Sequence, residues 1–375
     1  MPPVAAAQSP DVAVAGGGPI GLACAWRAAR RGLSAVVLDA GGPGAWHVAA
    51  GMLAPVAEAE FGERALLELG LRSAALFEGF CAELAEATGR DAGLRRSGTL
   101  VVARDADEAE ALERLIAFRG SLGLEVTRLR PSQARRLEPA LAPTVRLALE
   151  VAGDHSIDPR RLVAALGEAV EVRRGRVARV LAEDGRATGV ELEDGSVLAA
   201  GAVVLAPGAH AGAIALPEDA ARVPVRPVKG QVLRLRDPRG PGLVERTIRG
   251  EQAYLVPRGD GRYVLGATME ERGWDTAPTA GGVYELIRDM SELVPGVLEL
   301  DIDELEAGLR PATPDNLPAI GPGTLEGLVW AAGHHRNGIL LAPVTAELVA
   351  GALAGDRLPD WARPADPARF AGVPA

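Results

Sequence analysis

Val12-Ala13-Val14-Ala15-Gly16-Gly17-Gly18-Pro19-Ile20-Gly21 is the stretch of sequence that decides the fold. Its short apolar run is typical of a buried strand, and it passes through three consecutive glycines into a helical pattern. A second apolar run, Ala35–Leu38, ends at Asp39. Strand, glycine turn, helix, strand and acidic residue in this order indicate a βαβ unit that binds a dinucleotide.

Three glycines of this motif have separate predicted roles. Gly16 permits the tight turn, Gly18 lets the backbone approach a pyrophosphate, and Gly21 lets the helix pack closely on the strand. The helix that follows directs free N–H groups and a partial positive charge towards phosphates. Asp39, eighteen positions after Gly21, is placed to accept hydrogen bonds from ribose hydroxyls. A glycine-rich turn in an α/β core is the alternative. The predicted dinucleotide-binding residues are Gly16, Gly18, Pro19, Ile20, Gly21 and Asp39.

The composition points away from nucleic acid as a partner. The chain has 375 residues, and its 40 Lys and Arg against 50 Asp and Glu give a formal net charge of −10. A chain of this length predicts two domains. A negative surface does not suit binding to a polyanion, so no nucleic-acid partner is expected.

Several features of the sequence predict a cytoplasmic protein that does not enter membranes. Met1–Pro10 lacks a basic region followed by an apolar stretch, so a loose tail is expected rather than a signal peptide. Ile339–Gly355, the most apolar late segment, is interrupted by a proline and a glutamate and is too short to cross a bilayer. Cys24 and Cys81 have neither CxxC nor metal-ligand spacing, which fits a reducing compartment and predicts no metal site.

Further along, α/β patterns alternate with a β-rich region. Strand patterns at Ala202–Leu205 and Leu328–Ala332 continue the dinucleotide-type fold, and a helix is predicted over Ile339–Leu353. Short strand patterns dominate Val223–Leu309 and predict an antiparallel sheet with one covering helix. The predicted fold is α/β (α+β overall), with two interleaved domains. The dinucleotide-binding domain comprises residues 1–80, 145–215 and 310–375, and the antiparallel substrate domain comprises 81–144 and 216–309.

Four other segments contain the remaining candidate functional residues. They are Ala49–Pro55, Val228–Gln231, Ala307–Pro311 and Gly333–Pro343. Together with the opening motif they resemble the D-amino acid oxidase-like family of flavoenzymes, and within it the glycine oxidases, over nearly the whole chain. The resemblance implies that FAD is the cofactor. It also implies oxidation of a small amino acid or amine by hydride transfer to flavin N5, with molecular oxygen as electron acceptor and hydrogen peroxide as product. A role in thiamine biosynthesis and a possible homo-oligomer follow from the same resemblance.

The resemblance adds cofactor-binding residues outside the opening motif. They are Ala49, Ala50, Gly51, Met52, Val177, Gly208, Gly333, His334, Arg336, Asn337, Gly338 and Ile339. Independently, Gly333–Gly338 has the pattern of a second strand-to-helix turn, whose helix N-terminus would stabilise negative charge on a reduced flavin by about 0.3–1 kcal/mol. A purely structural turn is the alternative. No cysteine lies near this turn, so the FAD is expected to be non-covalent.

Four residues are candidates for the catalytic site. Arg310, in a short strand before a turn, is by its residue type either a structural ion-pair partner or a carboxylate receptor. The resemblance implies the receptor, with the Tyr254 hydroxyl donating a second hydrogen bond to the carboxylate. It also places Arg336 near the flavin and Met269 on the amine side of the pocket. The alternative for Tyr254 is packing in a strand. For Arg336 it is a surface charge, and for Met269 it is core filling.

Three other functions stay open at this stage. A sarcosine or D-amino acid oxidase would share the fold, and a dehydrogenase would pass electrons to a carrier instead of oxygen. A flavin-binding protein without turnover is the third, but it has no need for the carboxylate receptor that Arg310 and Tyr254 suggest. His334 and His335 are not predicted to act as a general base, because hydride transfer from a neutral amine requires no protein base. The family often has an aromatic residue at the position of His335, so the role of His335 is undecided.

Overall fold

The structure, a computed structural model, describes residues 9–218, 220–240 and 242–372. Most of the tail expected at Met1–Pro10 therefore lies outside the described residues. The α-helices are α1 Pro19–Arg30, α2 Ala45–Val48, α3 Arg64–Thr88, α4 Ala106–Ser121, α5 Pro131–Leu137, α6 Pro159–Ala169, α7 Ala280–Leu293 and α8 Ala342–Leu353. Short 3-10 helices lie at Gly208–Ala213, Pro295–Glu299, His335–Asn337, Asp360–Ala365 and Pro367–Phe370.

The described strands form four sheets. In chain order they are β1 Val12–Ala15, β2 Ala35–Asp39, β3 Met52–Leu53, β4 Thr99–Ala103, β5 Thr127–Leu129, β6 Leu147–Val151, β7 His155–Ser156, β8 Glu171–Arg174, β9 Val177–Glu183, β10 Arg186–Leu192, β11 Val197–Ala199, β12 Ala202–Leu205, β13 Arg226–Arg236, β14 Thr247–Arg249, β15 Tyr254–Pro257, β16 Arg262–Gly266, β17 Asp301–Ala312, β18 Ala319–Pro322 and β19 Leu328–Ala332.

The first large sheet has the strand order β18-β19-β12-β1-β2-β8. Its strands are parallel except for β18, which runs antiparallel to β19 at one edge. Val12 and Val14 of β1 pack into a core with α1, α3, α6 and α8, whereas Ala13 and Ala15 pack on the opposite face beside β9 and β10. Both faces are covered, which explains why β1 is apolar throughout rather than alternating.

The second large sheet has the order β17-β13-β16-β15-β14-β4-β6-β5. It is antiparallel apart from the parallel pair β14 and β4. Leu286, Met290 and Leu293 of α7 pack into the core on one face of this sheet, so the expected covering helix is present. The combination of a largely parallel sheet with an antiparallel one confirms the predicted fold class.

Three elements differ from the predicted domain boundaries. β6 lies in the range predicted for the dinucleotide-binding domain, but it pairs with β4 in the antiparallel sheet. α3 crosses the predicted boundary at residue 80, because Phe77, Phe80 and Leu84 all pack into the core beside α1. β17 runs through the boundary at residue 310 as one continuous strand. The division into two interleaved domains otherwise stays a prediction.

We expect Gly21→Ala to destabilise the fold, because an added Cβ at Gly21 would lie 2.0 Å from the Gly16 carbonyl oxygen and 3.3 Å from Val14 Cγ1. Backbone cannot move aside as a flexible side chain can, so the free energy of unfolding should fall by about 1–3 kcal/mol. Urea denaturation followed by circular dichroism measures this change.

Gly79→Ala is the matched control, because Gly79 lies on the exposed side of α3 and an added Cβ would meet nothing within 4 Å. This substitution should raise the free energy of unfolding by about 0.4–1 kcal/mol through helix propensity. Equal effects of the two substitutions would contradict the close contact between α1 and the turn.

Candidate active site

A cavity of about 1050 Å³ lies between the two large sheets. The glycine turn after β1 and Asp39 line one part of it, and Arg310, Tyr254 and Met269 line another. The predicted cofactor residues that line it are Gly16, Gly18, Pro19, Ile20, Asp39, Ala49, Ala50, Gly51, Met52, Val177, Gly208, Gly333, His334, Arg336, Gly338 and Ile339. Gly21 and Asn337 do not line it: Gly21 packs under the turn, and Asn337 is buried beside the cavity. One cavity thus joins the predicted dinucleotide and substrate residues.

The glycine turn fits tightly between two neighbouring strand ends. Gly16 has φ +117°, and an added Cβ would lie 2.3 Å from the carbonyl oxygen of Ala206 after β12. An added Cβ at Gly17 would lie 2.5 Å from Cγ of Asp39. Sequence reasoning gave no role to Gly17, although its place in the glycine run was the available signal. Its missing side chain makes room for the Asp39 carboxylate.

The N-terminus of α1 has the features of a phosphate site. Gly18 precedes the helix and supplies no side-chain cap, and Pro19 occupies the first turn. The other N–H groups of the first turn have no carbonyl partner within the helix, so they are available to an anion. Asp39 Oδ1 accepts the Gly41 N–H at 3.1 Å, and among the described residues no cation lies within ion-pair distance of Asp39. These residues fit the phosphates and a ribose of an adenine dinucleotide.

Three arginines hold the loop that follows β2. Arg160 Nε and Arg234 Nη2 donate to the His47 carbonyl at 3.1 and 2.5 Å, and Arg258 Nη2 donates to the Ala50 carbonyl at 2.8 Å. Burial lowers the pKa of Arg258 to about 10, which leaves it charged at neutral pH. Sequence reasoning missed these arginines, because nothing in their local pattern shows that they converge on one loop.

The same loop places Trp46 against the phosphate end of the cavity. Its Cδ1 atom lies 3.7 Å from the position of an added Cβ at Gly18, and Trp46 lines the cavity. The cofactor contacts predicted in this loop, Ala49–Met52, did not include Trp46. The single large aromatic side chain in it was the signal that could have singled out Trp46.

His47, Glu304 and Glu306 bring possible metal-ligand atoms within 4.8 Å of one another. Arg160 already pairs with both carboxylates, at 2.6 Å to Glu304 and 2.8 Å to Glu306. Its hydrogen bonds are the main cause that lowers the pKa of Glu304 to about 2. The cluster is therefore explained as an ion-pair network that ties β17 to the loop, and the absence of a metal site stays a prediction.

The second glycine turn differs from its expected form. Gly333 has φ +76°, and the residues after it form a 3-10 helix at His335–Asn337. α8 begins only at Ala342, so the helix predicted from Ile339 starts three residues later. Its N-terminus does not line the cavity. The prediction that the N-terminus of α8 stabilises a reduced flavin is therefore wrong. The glycine turn and the 3-10 helix form the cavity wall here.

Two histidines in this turn are neutral. His334 is buried, its Nε2 lies 3.0 Å from Thr345 Oγ1, and burial lowers its pKa to about 3. Burial is also the main cause that lowers the pKa of His335 to about 4, and Arg310, Arg336 and Arg226 lower it further. Neither imidazole therefore carries a charge at neutral pH.

Arg310 lies in the long strand β17, not in a short strand before a turn as expected. Its Nη1 donates to the carbonyl oxygens of Lys229 at 3.2 Å and Thr268 at 3.0 Å. An added Cβ at Gly230 would lie 2.3 Å from both terminal nitrogens. The guanidinium therefore rests on the backbone of β13, and among the described residues it has no carboxylate partner within ion-pair distance.

The Tyr254 side chain packs over Gly266, as the Arg310 side chain packs over Gly230. Tyr254 and Gly266 are cross-strand partners of β15 and β16, and an added Cβ at Gly266 would lie 2.7 Å from the Tyr254 hydroxyl oxygen. Burial raises the pKa of Tyr254 although Arg310 lowers it, so the phenol stays protonated and can donate. Glycines on the two intervening strands, Gly230 and Gly266, thus leave an open floor between Arg310 and Tyr254.

The remaining candidates lie at the margins of this cavity. Met269 lines it and is 61% exposed, which is not consistent with core filling. Arg336 also lines it, and Arg336 Nη2 pairs with Glu63 at 3.2 Å. Arg249 and Glu58, which were not singled out from the sequence, form a further pair at 2.9 Å beside Tyr254.

We expect Asp39→Ala to weaken FAD binding while the fold is retained. The substitution removes a charged acceptor from the ribose, and such a hydrogen bond contributes about 1.5–3 kcal/mol. The dissociation constant of FAD, measured by titrating the apoprotein, should rise accordingly. An unchanged constant would show that the carboxylate does not contact the ribose.

We expect His334→Gln to make the protein less sensitive to acid. Unfolded His334 takes up a proton near pH 6.5, whereas folded His334 does so only near pH 3. The unfolded state therefore binds more protons between these values, and His334 costs up to about 1.4 kcal/mol of stability per pH unit as the pH falls. Free energies of unfolding at several values between pH 4 and pH 7 should decline less steeply in the variant. If the free energy of unfolding declined equally steeply in both proteins, the pKa of His334 in the folded state would lie near its ordinary value.

None of the described helices combines the length and the apolar character that a membrane crossing requires.

Comparison with known proteins agrees with this geometry. Residues 11–352 match the model of the DAO family, described as FAD dependent oxidoreductase. Hydrogen cyanide synthase subunit HcnC of Pseudomonas aeruginosa is 31% identical over 97% of this chain and 97% of its own length. The bifunctional protein ThiO/ThiG of a Synechocystis species is 34% identical over 96% of this chain but only 54% of its own length.

Among solved structures, the glycine oxidase of Geobacillus kaustophilus superposes with a TM-score of 0.87. The match covers 96% of this chain and 98% of that one at 32% identity. The resemblance inferred from the sequence is thereby confirmed, as is FAD as the cofactor. This chain belongs to the DAO family of FAD-dependent oxidoreductases.

Proposed function

We propose that this protein oxidises glycine and other small amino acids or amines, such as sarcosine, to the 2-oxo acid, ammonia or an amine, and hydrogen peroxide. The observation that carries the proposal is the Arg310 guanidinium. It is held by two backbone carbonyls above Gly230 and lines the same cavity as the dinucleotide turn. A cation held in this way is suited to a substrate carboxylate, because a planar guanidinium can bind both of its oxygens.

The residues of the chain act mainly by orientation. Arg310 binds the substrate carboxylate and Tyr254 donates to it, so that the Cα atom is held at a fixed place in the cavity. FAD held by the glycine turn and Asp39 would supply the hydride acceptor and the redox chemistry with molecular oxygen. Burial lowers the pKa of His334 to about 3 and that of His335 to about 4, so neither imidazole adds a charge to the cavity wall at neutral pH.

Non-covalent binding of FAD is part of the proposal. The two cysteines of the chain, Cys24 and Cys81, lie in α1 and α3 and do not line the cavity. Burial raises the pKa of the Cys24 thiol well above its usual range and that of Cys81 to about 12, so both are poor nucleophiles. Acid precipitation of the protein should release its flavin into the supernatant.

The names of the relatives support two uses of such an oxidation. Similarity to glycine oxidase and to ThiO/ThiG supports a supply of product for thiamine thiazole formation in the cytoplasm. The match to HcnC covers almost the full length of both chains and supports a second candidate, a subunit of a hydrogen cyanide synthase. Release of cyanide from glycine would favour the second candidate, and release of peroxide with glyoxylate the first.

A substrate screen tests the proposal directly. Peroxide release should give higher kcat/KM for glycine and sarcosine than for D-alanine, with D-phenylalanine lowest, because the long Met269 side chain narrows the space beside Cα. An added methylene changes selectivity by only about 1–3 kcal/mol, so D-alanine should react slowly. A preference for D-phenylalanine would indicate a general D-amino acid oxidase, and dye reduction without oxygen uptake would indicate a dehydrogenase.

We expect Arg310→Ala to raise the KM for glycine sharply, because the bound carboxylate loses its charged partner at a cost of about 3–5 kcal/mol. Arg310→Lys should restore little, since an ammonium cannot reproduce the planar, two-pronged donor. Steady-state kinetics measure both. Arg262→Ala is the control, because Arg262 is exposed and, among the described residues, forms an ion pair with Asp260 alone. If Arg310→Ala kept KM within a few-fold of the wild-type value, Arg310 would not be the receptor.

A further inference from the structure

Arg249 and Glu58 form an ion pair in the wall of the cavity, directly beside the proposed carboxylate receptor. Arg249 of β14 and Tyr254 of β15 are cross-strand partners, so their side chains lie on the same face of the sheet. Both members of the pair line the cavity, with Arg249 Nη1 2.9 Å from Glu58 Oε1. Their side chains are only 19% and 13% exposed, so water screens the pair weakly.

Glu58 is held in place by a buried framework behind the wall. The Asp154 carboxylate accepts the N–H groups of Val56 and Ala57 at 3.3 and 2.6 Å. Arg119, which is almost completely buried, donates to the carbonyl oxygens of Ala57 and Ala59. The backbone is therefore fixed on both sides of Glu58, which places its side chain within reach of Arg249.

Other carboxylates also line this cavity. Asp289 pairs with Arg288 and Arg104, and Glu285 is exposed to solvent, so among the described residues neither pairs with Arg249. Arg310 is committed to the carboxylate that every substrate carries. Glu270 accepts hydrogen bonds from Thr268 and Gln231, and Glu251 is exposed to solvent. Neither of these carboxylates lies within ion-pair distance of Arg249 among the described residues. A substrate substituent that extends past Tyr254 therefore meets one positive and one negative group.

On the basis of the proposed function, we propose that the Arg249–Glu58 pair selects against substrates that carry a second charged group. Because Arg249 and Glu58 neutralise each other, the wall offers no free counter-charge, and a second charged group would lose hydration there without gaining an ion-pair partner. A hydrogen atom, a methyl group or a neutral polar group meets no such penalty. The pair thus acts as a specificity determinant distinct from the carboxylate receptor.

Glu58→Gln and Arg249→Gln test this inference in opposite directions. Glu58→Gln leaves a net positive charge in the wall, and Arg249→Gln leaves a net negative one. The substrates compared are N-(carboxymethyl)glycine and N-(carbamoylmethyl)glycine, which are achiral, nearly equal in shape and different by one charge. The wild-type enzyme should have the higher kcat/KM for the amide.

The ratio of kcat/KM for the acid to that for the amide is the quantity measured. Glu58→Gln should raise this ratio by roughly tenfold or more, and Arg249→Gln should lower it. Arg249→Lys keeps the charge and should leave the ratio near the wild-type value. Glu68→Gln removes an exposed partner of Arg72 on α3 and should leave it unchanged. Ratios that do not move, or that move in the same direction in both glutamine variants, would overturn the inference.

A binding measurement separates this inference from the proposed function. Malonate and its monoamide can be titrated against the flavin absorbance of the FAD-loaded protein, which requires no turnover. The ratio of their dissociation constants should shift towards malonate in Glu58→Gln and away from it in Arg249→Gln. If no amino acid releases peroxide but these ratios shift as stated, the proposed function fails and the charge selection stands. If the ratios stay unchanged in well-folded variants while glycine is oxidised normally, the charge selection fails and the proposed function stands.

Discussion

The antiparallel pairing of β13 with β17 is the constraint on which both halves of the site depend. Its register sets Arg310 opposite Val228 and Glu306 opposite Val232. At one end of the ladder, Arg310 rests over Gly230 and lines the cavity. At the other end, Glu304 and Glu306 pair with Arg160 and Arg234, which hold the loop after β2. A slip of one residue would turn both sets of side chains to the opposite face of the sheet, so a single register aligns Arg310, the proposed carboxylate receptor, with the loop after β2.

The sequence predicted the parts of the site whose chemistry is local. A glycine turn between two apolar runs specifies its own geometry, and Gly16 and Gly21 make the close contacts that this motif requires. The Arg249–Glu58 pair could not be found in this way, because 191 positions separate its members and only the pairing of β14 with β15 brings Arg249 beside Tyr254. The start of α8 was misplaced for a related reason: the apolar pattern continues through a 3-10 turn that periodicity alone does not separate from a helix.

Much of the polar structure around the cavity consists of guanidinium groups bound to backbone carbonyls. Arg160, Arg234, Arg258 and Arg310 each donate to main-chain oxygen atoms of a neighbouring element. Such bonds do not depend on which side chain the partner residue carries, so they fix the path of the backbone independently of the side chains of the loop. The planar donor also leaves other N–H groups free, which allows Arg310 to be anchored and still bind a ligand.

The order of strands in the two large sheets has a consequence for how the chain folds. The chain leaves the six-stranded sheet after β2 and again after β12, and each time it returns only after building part of the other sheet. Neither sheet can be completed from one continuous segment, so contacts distant in sequence must form before either core is closed. Such topologies fold slowly. Neither half is expected to survive as an autonomous unit after proteolytic cleavage, and unfolding should be a single cooperative event rather than the stepwise loss of two modules.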